Sequence, residues 1–144
     1  MPTDPHPYRR CLFYSSSALA RAATRVAEEA FAPTGLAPSS AYVLMTALRE
    51  PGTSPGRIAE VMMLDRSTVT RLVEGLERRG LVKRLARGRS VSVSPTPEAV
   101  GMKASLAACR RDSDARFRKL LGRGLPGLTA DVFAAAAAVE GRTP

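Results

Sequence analysis

Tryptophan is absent, and only three tyrosines and four phenylalanines occur in 144 residues. Proteins that hold single-stranded nucleic acid without sequence preference stack bases on successive aromatic side chains, so this shortage argues against that class. Two cysteines, Cys11 and Cys109, are too few for a disulfide scaffold and lack zinc-ligand spacing. The lone His6 completes neither a metal site nor a histidine-based catalytic arrangement. No glycine-rich phosphate loop stands beside a strand-like run, and Glu28-Glu29 are consecutive on a helical pattern and do not converge. Neither an enzyme nor a cofactor is implied. No apolar stretch approaches the ~18 residues of a membrane span, and Pro2, Asp4, Pro5 and Pro7 interrupt what would be a signal-peptide core. A cytoplasmic protein with no membrane partner is expected.

Acidic residues are also in short supply. Thirteen stand against 22 lysines and arginines, giving a net charge of +9 and a pI near 10.7. Nucleic acid suits this excess better than an anionic membrane, because no helical pattern combines a broad apolar face with a lysine-rich reverse. The charge is also localised. Residues 66 to 89 hold Arg66, Arg71, Arg78, Arg79, Lys83, Arg84, Arg87 and Arg89 against Glu74 and Glu77, a net +6.

The length suits one domain able to bury its own core. Tyr8 to Phe31 reads as a long helix stopped by Pro33 and Gly35, with Leu12, Ser16, Leu19, Ala23, Val26 and Ala30 alternating at spacings of four and three. Such a seam on a small domain favours a dimer interface carried by Leu12, Leu19 and Val26, the alternative being an ordinary internal packing face. A second helix spans Pro38 to Leu48, with Val43, Leu44, Ala47 and Leu48 inward. Ser54-Pro55 is a capping signal for a third. After a charged hairpin, Pro95 and Pro97 introduce a helix over Glu98 to Leu121. The last helix runs to Val139 with Thr129 as its expected cap.

Ile58-Ala59 and Met62, followed by Val69, Leu72, Val73 and Leu76, are the packing residues of a helix-turn-helix. The second stripe leaves Ser67, Arg71, Glu74 and Arg78 outward, with Thr70 beside them. Asp65 can cap that helix and direct free N–H groups toward phosphate or base edges. A recognition helix inserts its first turns into the major groove, so Ser67, Thr68, Thr70 and Arg71 are candidate readers, and Arg66 is a candidate phosphate ligand. Glu74 and Arg78, four residues apart, are expected to form a solvated pair. In Arg84 to Val93, alternation in Val91-Ser92-Val93-Ser94 places valines toward the helices and serines toward water, and Gly88 permits the turn. Arg84, Arg87 and Arg89 make this hairpin a second DNA-binding element, with a groove-entering tip favoured over charges that only discourage edge aggregation.

The run Ser67-Thr68-Val69-Thr70-Arg71-Leu72-Val73-Glu74-Gly75-Leu76-Glu77-Arg78-Arg79-Gly80-Leu81-Val82-Lys83-Arg84 resembles the core of the MarR family of bacterial regulators. Ile58-Ala59-Glu60-Val61 upstream, and Pro95-Thr96 with Gly101 downstream, extend the resemblance over residues 54 to 101. It implies a mainly α fold with a short β-hairpin wing: a winged helix-turn-helix over 36–96, flanked by dimerisation helices at 1–35 and 97–144. It further implies a homodimer binding a pseudo-palindromic double-stranded DNA operator, usually as a repressor, with release triggered by a small aromatic or anionic ligand or by oxidation. The wing departs from the family's pattern. Arg87-Gly88-Arg89 replaces a longer aspartate-arginine-arginine tip, so wing contacts transfer only approximately. Ahead of the reading head, Ala37-Pro38 and Tyr42 replace the usual threonine cap and glutamine.

Cys11, preceded by Arg9-Arg10 and placed between Tyr8 and Tyr14 near a helix start, is the candidate redox sensor, with Cys109 as candidate resolver. Its position resembles that of the reactive cysteine in the hydroperoxide-sensing branch of the family. A small apolar side chain in a helix junction is the alternative. The rival to the whole reading is a non-specific architectural basic protein that binds DNA or RNA through charge alone.

Overall fold

Helix-forming segments punctuated by proline and glycine fold into seven α-helices and one hairpin in a computed structural model that describes Met1 and residues 3–142. Helix α1 spans Leu12–Phe31, α2 Pro38–Arg49, α3 Pro55–Met62 and α4 Arg66–Arg78. Strands β1 (Val82–Arg87) and β2 (Ser90–Pro95) form the hairpin, and α5 (Pro97–Gly101), α6 (Lys103–Leu121) and α7 (Leu125–Val139) complete the chain. The architecture is the expected mainly α winged helix-turn-helix.

One apolar stripe organises the reading head. Val69, Val73 and Leu76 of α4 are buried against Ile58 and Ala59 of α3 and Val43, Leu44, Ala47 and Leu48 of α2, with Leu72 packed at the margin. The same core takes in Ala30 and Phe31 from the end of α1 and Leu106 and Cys109 from α6, so it runs across the divisions expected near 35 and 96. Phe31 is fully buried and meets Tyr42 with ring centroids 5.6 Å apart, an arrangement that aromatic quadrupoles favour.

The join between α4 and the hairpin is defined by its hydrogen bonds. Gly80, at φ +71°, follows the last turn. Its N–H donates to the carbonyl of Glu77, and the N–H of Leu81 to that of Leu76 at 3.0 Å, the paired bonds of a Schellman motif. Thr96 Oγ1 then donates to the Gly80 carbonyl at 2.7 Å, and the Thr96 N–H to the Leu81 carbonyl at 3.0 Å. The same hydroxyl accepts from the Ala99 N–H and caps α5.

β1 and β2 pair antiparallel from Val82 opposite Pro95 to Arg87 opposite Ser90. Between them lies a two-residue turn, Gly88-Arg89, in which only Gly88 has positive φ, at +60°. Positive φ at the first position alone is the signature of a type II′ hairpin turn. Thr53 adds a single bridge to Val93.

Four expectations are corrected. α1 begins at Leu12, because Tyr8 to Arg10 form a turn and Cys11 takes the N-cap position. The helix expected over Glu98 to Leu121 breaks at Met102 into α5 and α6. Thr129 does not cap α7, which starts four residues earlier; its hydroxyl donates back to the Leu125 carbonyl at 2.9 Å, the alternative that threonine has inside a helix. Of the two valines on β2, Val93 is completely buried, whereas Val91 is 37% exposed. The outer half of the hairpin extends beyond the helices that could cover it.

Val93→Ala should therefore lower unfolding stability by about 2 kcal/mol, on the order of the burial energy of a valine. Val91→Ala should stay within about 0.5 kcal/mol of the parent. Denaturant unfolding of the two variants measures the difference.

Candidate nucleic-acid interface

The N-terminus of α4 is built around one carboxylate. Asp65 accepts from the Thr68 N–H at 3.0 Å, from Thr68 Oγ1 at 2.6 Å, and from the hydroxyl of Ser67. The hydrogen bonds from Ser67 and Thr68 hold its carboxyl well below the ordinary aspartate value. Ser67 and Thr68 thus spend their hydroxyl protons on the cap, leaving oxygen lone pairs outward. Thr70 Oγ1 likewise donates to the Arg66 carbonyl at 2.9 Å. All three hydroxyls are fixed as acceptors.

Arg71 stands one turn further along the exposed face of α4. Its Nη2 donates to Thr68 Oγ1 at 3.3 Å, and among the described residues it has no carboxylate partner. Arg66 lies against α3, where a Cβ added at Gly56 would stand 3.0 Å from its Nη2. Glycine there permits the guanidinium to rest across the first turn of α3. Arg66 is also free of carboxylates among the described residues. Arg57, by contrast, is held by Glu50 at 3.2 Å and Glu60 at 3.1 Å. Arg79 reaches 2.8 Å to the carbonyl of Gly35, tying the end of α4 to the link between α1 and α2. No local pattern points to that contact, which joins positions 44 residues apart.

The wing divides its arginines into two kinds. Arg87 and Arg89 are exposed at the tip, and neither forms an ion pair among the described residues. Arg84 turns back onto α4: Nη2 lies 2.7 Å and Nε 2.8 Å from Glu77 Oε2, and Nη1 3.4 Å from Glu74 Oε1. The Arg84 backbone N–H donates to Glu77 Oε1 at 3.2 Å. Hydrogen bonds from the Arg84 side chain and then its backbone hold the Glu77 carboxyl below its usual range. Glu74 therefore pairs with Arg84, and not with Arg78 as helical spacing suggested. Lys83 and Arg78 add exposed charge beside this cluster.

Cys11 is exposed and Cys109 buried. Cys109 sits in the core with Ala30 and Phe31, at the other end of a 20-residue helix from Cys11, a length of about 30 Å. A disulfide requires Cα atoms within about 7 Å, so Cys109 cannot resolve an oxidised Cys11 of the same chain in this conformation. Leu12 is 67% exposed, Leu19 is exposed and Val26 half-buried. Leu120 and Leu121 on α6 and Val132 and Phe133 on α7 are exposed too, and Ala137 is the only buried residue described in α7. The C-terminal end of α7 approaches the turn between α3 and α4, leaving an open cavity of about 780 Å³ bordered by Arg57, Arg66, Arg142, Phe133 and Leu64. A smaller one, about 330 Å³, lies between α1, α2 and α6 beside Glu28, Tyr42, Ser113 and Phe117. Among the described residues no cluster of His, Cys, Asp or Glu could hold a metal ion, and no helix is long and apolar enough to cross a membrane.

Residues 34–89 match the model of the MarR family. No curated protein matches the chain. Among solved structures it is similar to a MarR-family transcriptional regulator from Rhodococcus sp. RHA1, at 26% identity and a TM-score of 0.70 over 84% of this chain and 88% of that one. It is similar to the transcriptional regulator MosR of M. tuberculosis at 21% identity and a TM-score of 0.80, over 93% and 98%. CouR from Rhodococcus jostii RHA1, bound to p-coumaroyl-CoA, matches at 25% identity and a TM-score of 0.72 over 88% and 91%. The repressor CouR on a 23-mer DNA duplex matches at 22% and 0.74 over 94% and 99%.

The depressed Asp65 carboxyl carries a pH dependence with a defined sign. A folded-state value below the unfolded one contributes stability above the ordinary aspartate value of 3.8, and loses it as pH falls through the folded value. Asp65→Asn should therefore unfold at lower denaturant than the parent at pH 7, with the gap closing progressively below about pH 4. Paired unfolding curves from pH 7 to pH 3 read this out.

Proposed function

We propose that this chain, whose residues 34–89 match the MarR-family model, is a MarR-type homodimeric, sequence-specific repressor of transcription that binds a pseudo-palindromic operator. The observation that carries this reading is the exposed face of α4: a carboxylate-pinned N-terminus, three oriented hydroxyl acceptors and Arg71 without an acidic partner. Arginine at this position can bond bidentately to guanine, while Ser67, Thr68 and Thr70 accept from base edges or meet bridging waters. Arg66 is assigned to phosphate, and Arg87 and Arg89 to the adjacent groove. Dimerisation is supported by exposed apolar side chains on α1, α6 and α7 that a second copy would cover. The two recognition helices then face half-sites about 34 Å apart. CouR, of the same fold, is a repressor solved on duplex DNA.

Two inputs have support of different kinds. An aromatic or anionic ligand would find Arg57, Arg66 and Arg142 together with Phe133 and Leu64 around the larger cavity, whose border also includes Glu60 and Asp65; the smaller one is bordered by Glu28 and, among the described residues, by no cation. Oxidation has an accessible target in Cys11 at the α1 N-cap.

Selection from random duplex DNA should return a two-fold-related motif bound by two chains. Arg71→Ala should reduce discrimination against random duplex by ~1–3 kcal/mol. Arg87→Ala and Arg89→Ala should weaken binding and flatten its salt dependence. An unenriched pool would establish the architectural reading instead. Hydroperoxide should release DNA from the parent and not from Cys11→Ser if oxidation is the input, with intact-protein mass identifying the modified thiol. Release from both variants would exclude Cys11.

A further inference from the structure

Arg84 resembles a phosphate ligand by its charge and its place on the wing, but its side chain is turned inward. Three of its nitrogens, Nε, Nη1 and Nη2, together with its backbone N–H, meet Glu77 and Glu74. These are the two acidic residues of α4, on the helix that would lie deepest in a DNA groove. Left unpaired, two carboxylates so close to phosphates would repel the duplex. They cannot be neutralised by Arg78, whose expected pairing with Glu74 does not form. The fork of a guanidinium can bridge two carboxylates while its strand holds it in place, which a lysine ammonium cannot reproduce in the same geometry.

We propose that Arg84 is a positioning residue: it masks Glu74 and Glu77 from DNA and fixes the angle between the wing and α4, without itself contacting phosphate. The proposal rests on the DNA-binding reading. It makes Glu74 and Glu77 part of the same device. They locate the hairpin by drawing Arg84 down, and Arg84 cancels the repulsion they would otherwise cause. The bonds cross from strand to helix, so they constrain wing direction as well as charge. Their side chains are about one-third exposed, so the effect in water is moderate and depends on salt.

A mutant cycle on operator binding separates masking from contact. The chains compared are the parent, Arg84→Gln, Glu74→Gln/Glu77→Gln, and the triple variant, each checked by thermal unfolding. They are titrated with the selected duplex and with random duplex at two salt concentrations. Masking predicts that Arg84→Gln weakens operator binding about tenfold in the parent background, and less than about threefold once both glutamates are glutamine. Phosphate contact predicts the opposite, an equal or larger loss in the glutamine background, where Arg84 is released to reach DNA; that result overturns the proposal. Arg84→Lys is a second variant that keeps the charge while removing the fork, and it should recover part of the affinity but not the parent's protection from amide exchange at Ala86 and Gly88. Full recovery of both would overturn the positioning role. If the parent binds no duplex, the DNA-binding reading fails first and separately.

Discussion

A left-handed residue at Gly80 is the constraint on which the relation between reading helix and wing depends. With φ at +71°, the chain can end α4, satisfy the Glu77 and Leu76 carbonyls and reverse at once into β1. An L-residue with a Cβ would be strained in that conformation. The Gly80 carbonyl then accepts from Thr96, so the strand that leaves the wing is fastened to the residue where the wing was entered. Because Thr96 also caps α5, one short segment determines where α4 stops, how the hairpin leaves the body and how the next helix departs.

Charge in the reading head is sorted by partner. Arg57 and Arg84 are matched by glutamates, Arg79 by a carbonyl, and Arg66, Arg71, Arg87 and Arg89 are left without acidic partners among the described residues. Of the eight cations in residues 66 to 89, Arg84 is the one held by carboxylates among the described residues; Arg66 and Arg71 stand at the start of α4, Arg87 and Arg89 at the tip of the wing, and Arg78 and Lys83 beside the join between them. Asp65, at the N-terminus of α4, stays ionised and is engaged by Ser67 and Thr68. It converts flexible hydroxyls into oriented acceptors.

The amphipathic period of α4, the Ser54 and Asp65 caps and the glycine turn of the hairpin were legible because each is a local relation over a few residues. Local rules also misled. Glu74 and Arg78 satisfy helical spacing, but Arg84 arrives from the strand with a better geometry, a competitor visible only once the turn at Gly80 is known. Thr129 has the chemistry of a cap, yet Leu125-Pro126 already start the helix. Val91 fits the alternation of a half-buried strand, but alternation cannot say where the covering layer ends. Likewise the distance between Cys11 and Cys109 is a tertiary quantity. Ser67, Thr70 and Arg71 of α4 are exposed as the helical period predicts, whereas the Arg84 side chain is turned back onto Glu74 and Glu77.

The two-residue wing tip has a consequence for how any complex would be reached. A type II′ turn carrying Gly88 and Arg89, with paired strands on both sides, has few conformations to surrender on docking, so little ordering entropy opposes the placement of its arginines. The same stiffness denies it reach. A long flexible loop can follow a groove that is too wide or too far away, but this hairpin must wait for the groove to come to it. Duplexes with an intrinsically narrow or readily narrowed minor groove at the flanks would then bind better than stiff ones of identical core sequence, and part of the selectivity would reside in the mechanics of the DNA.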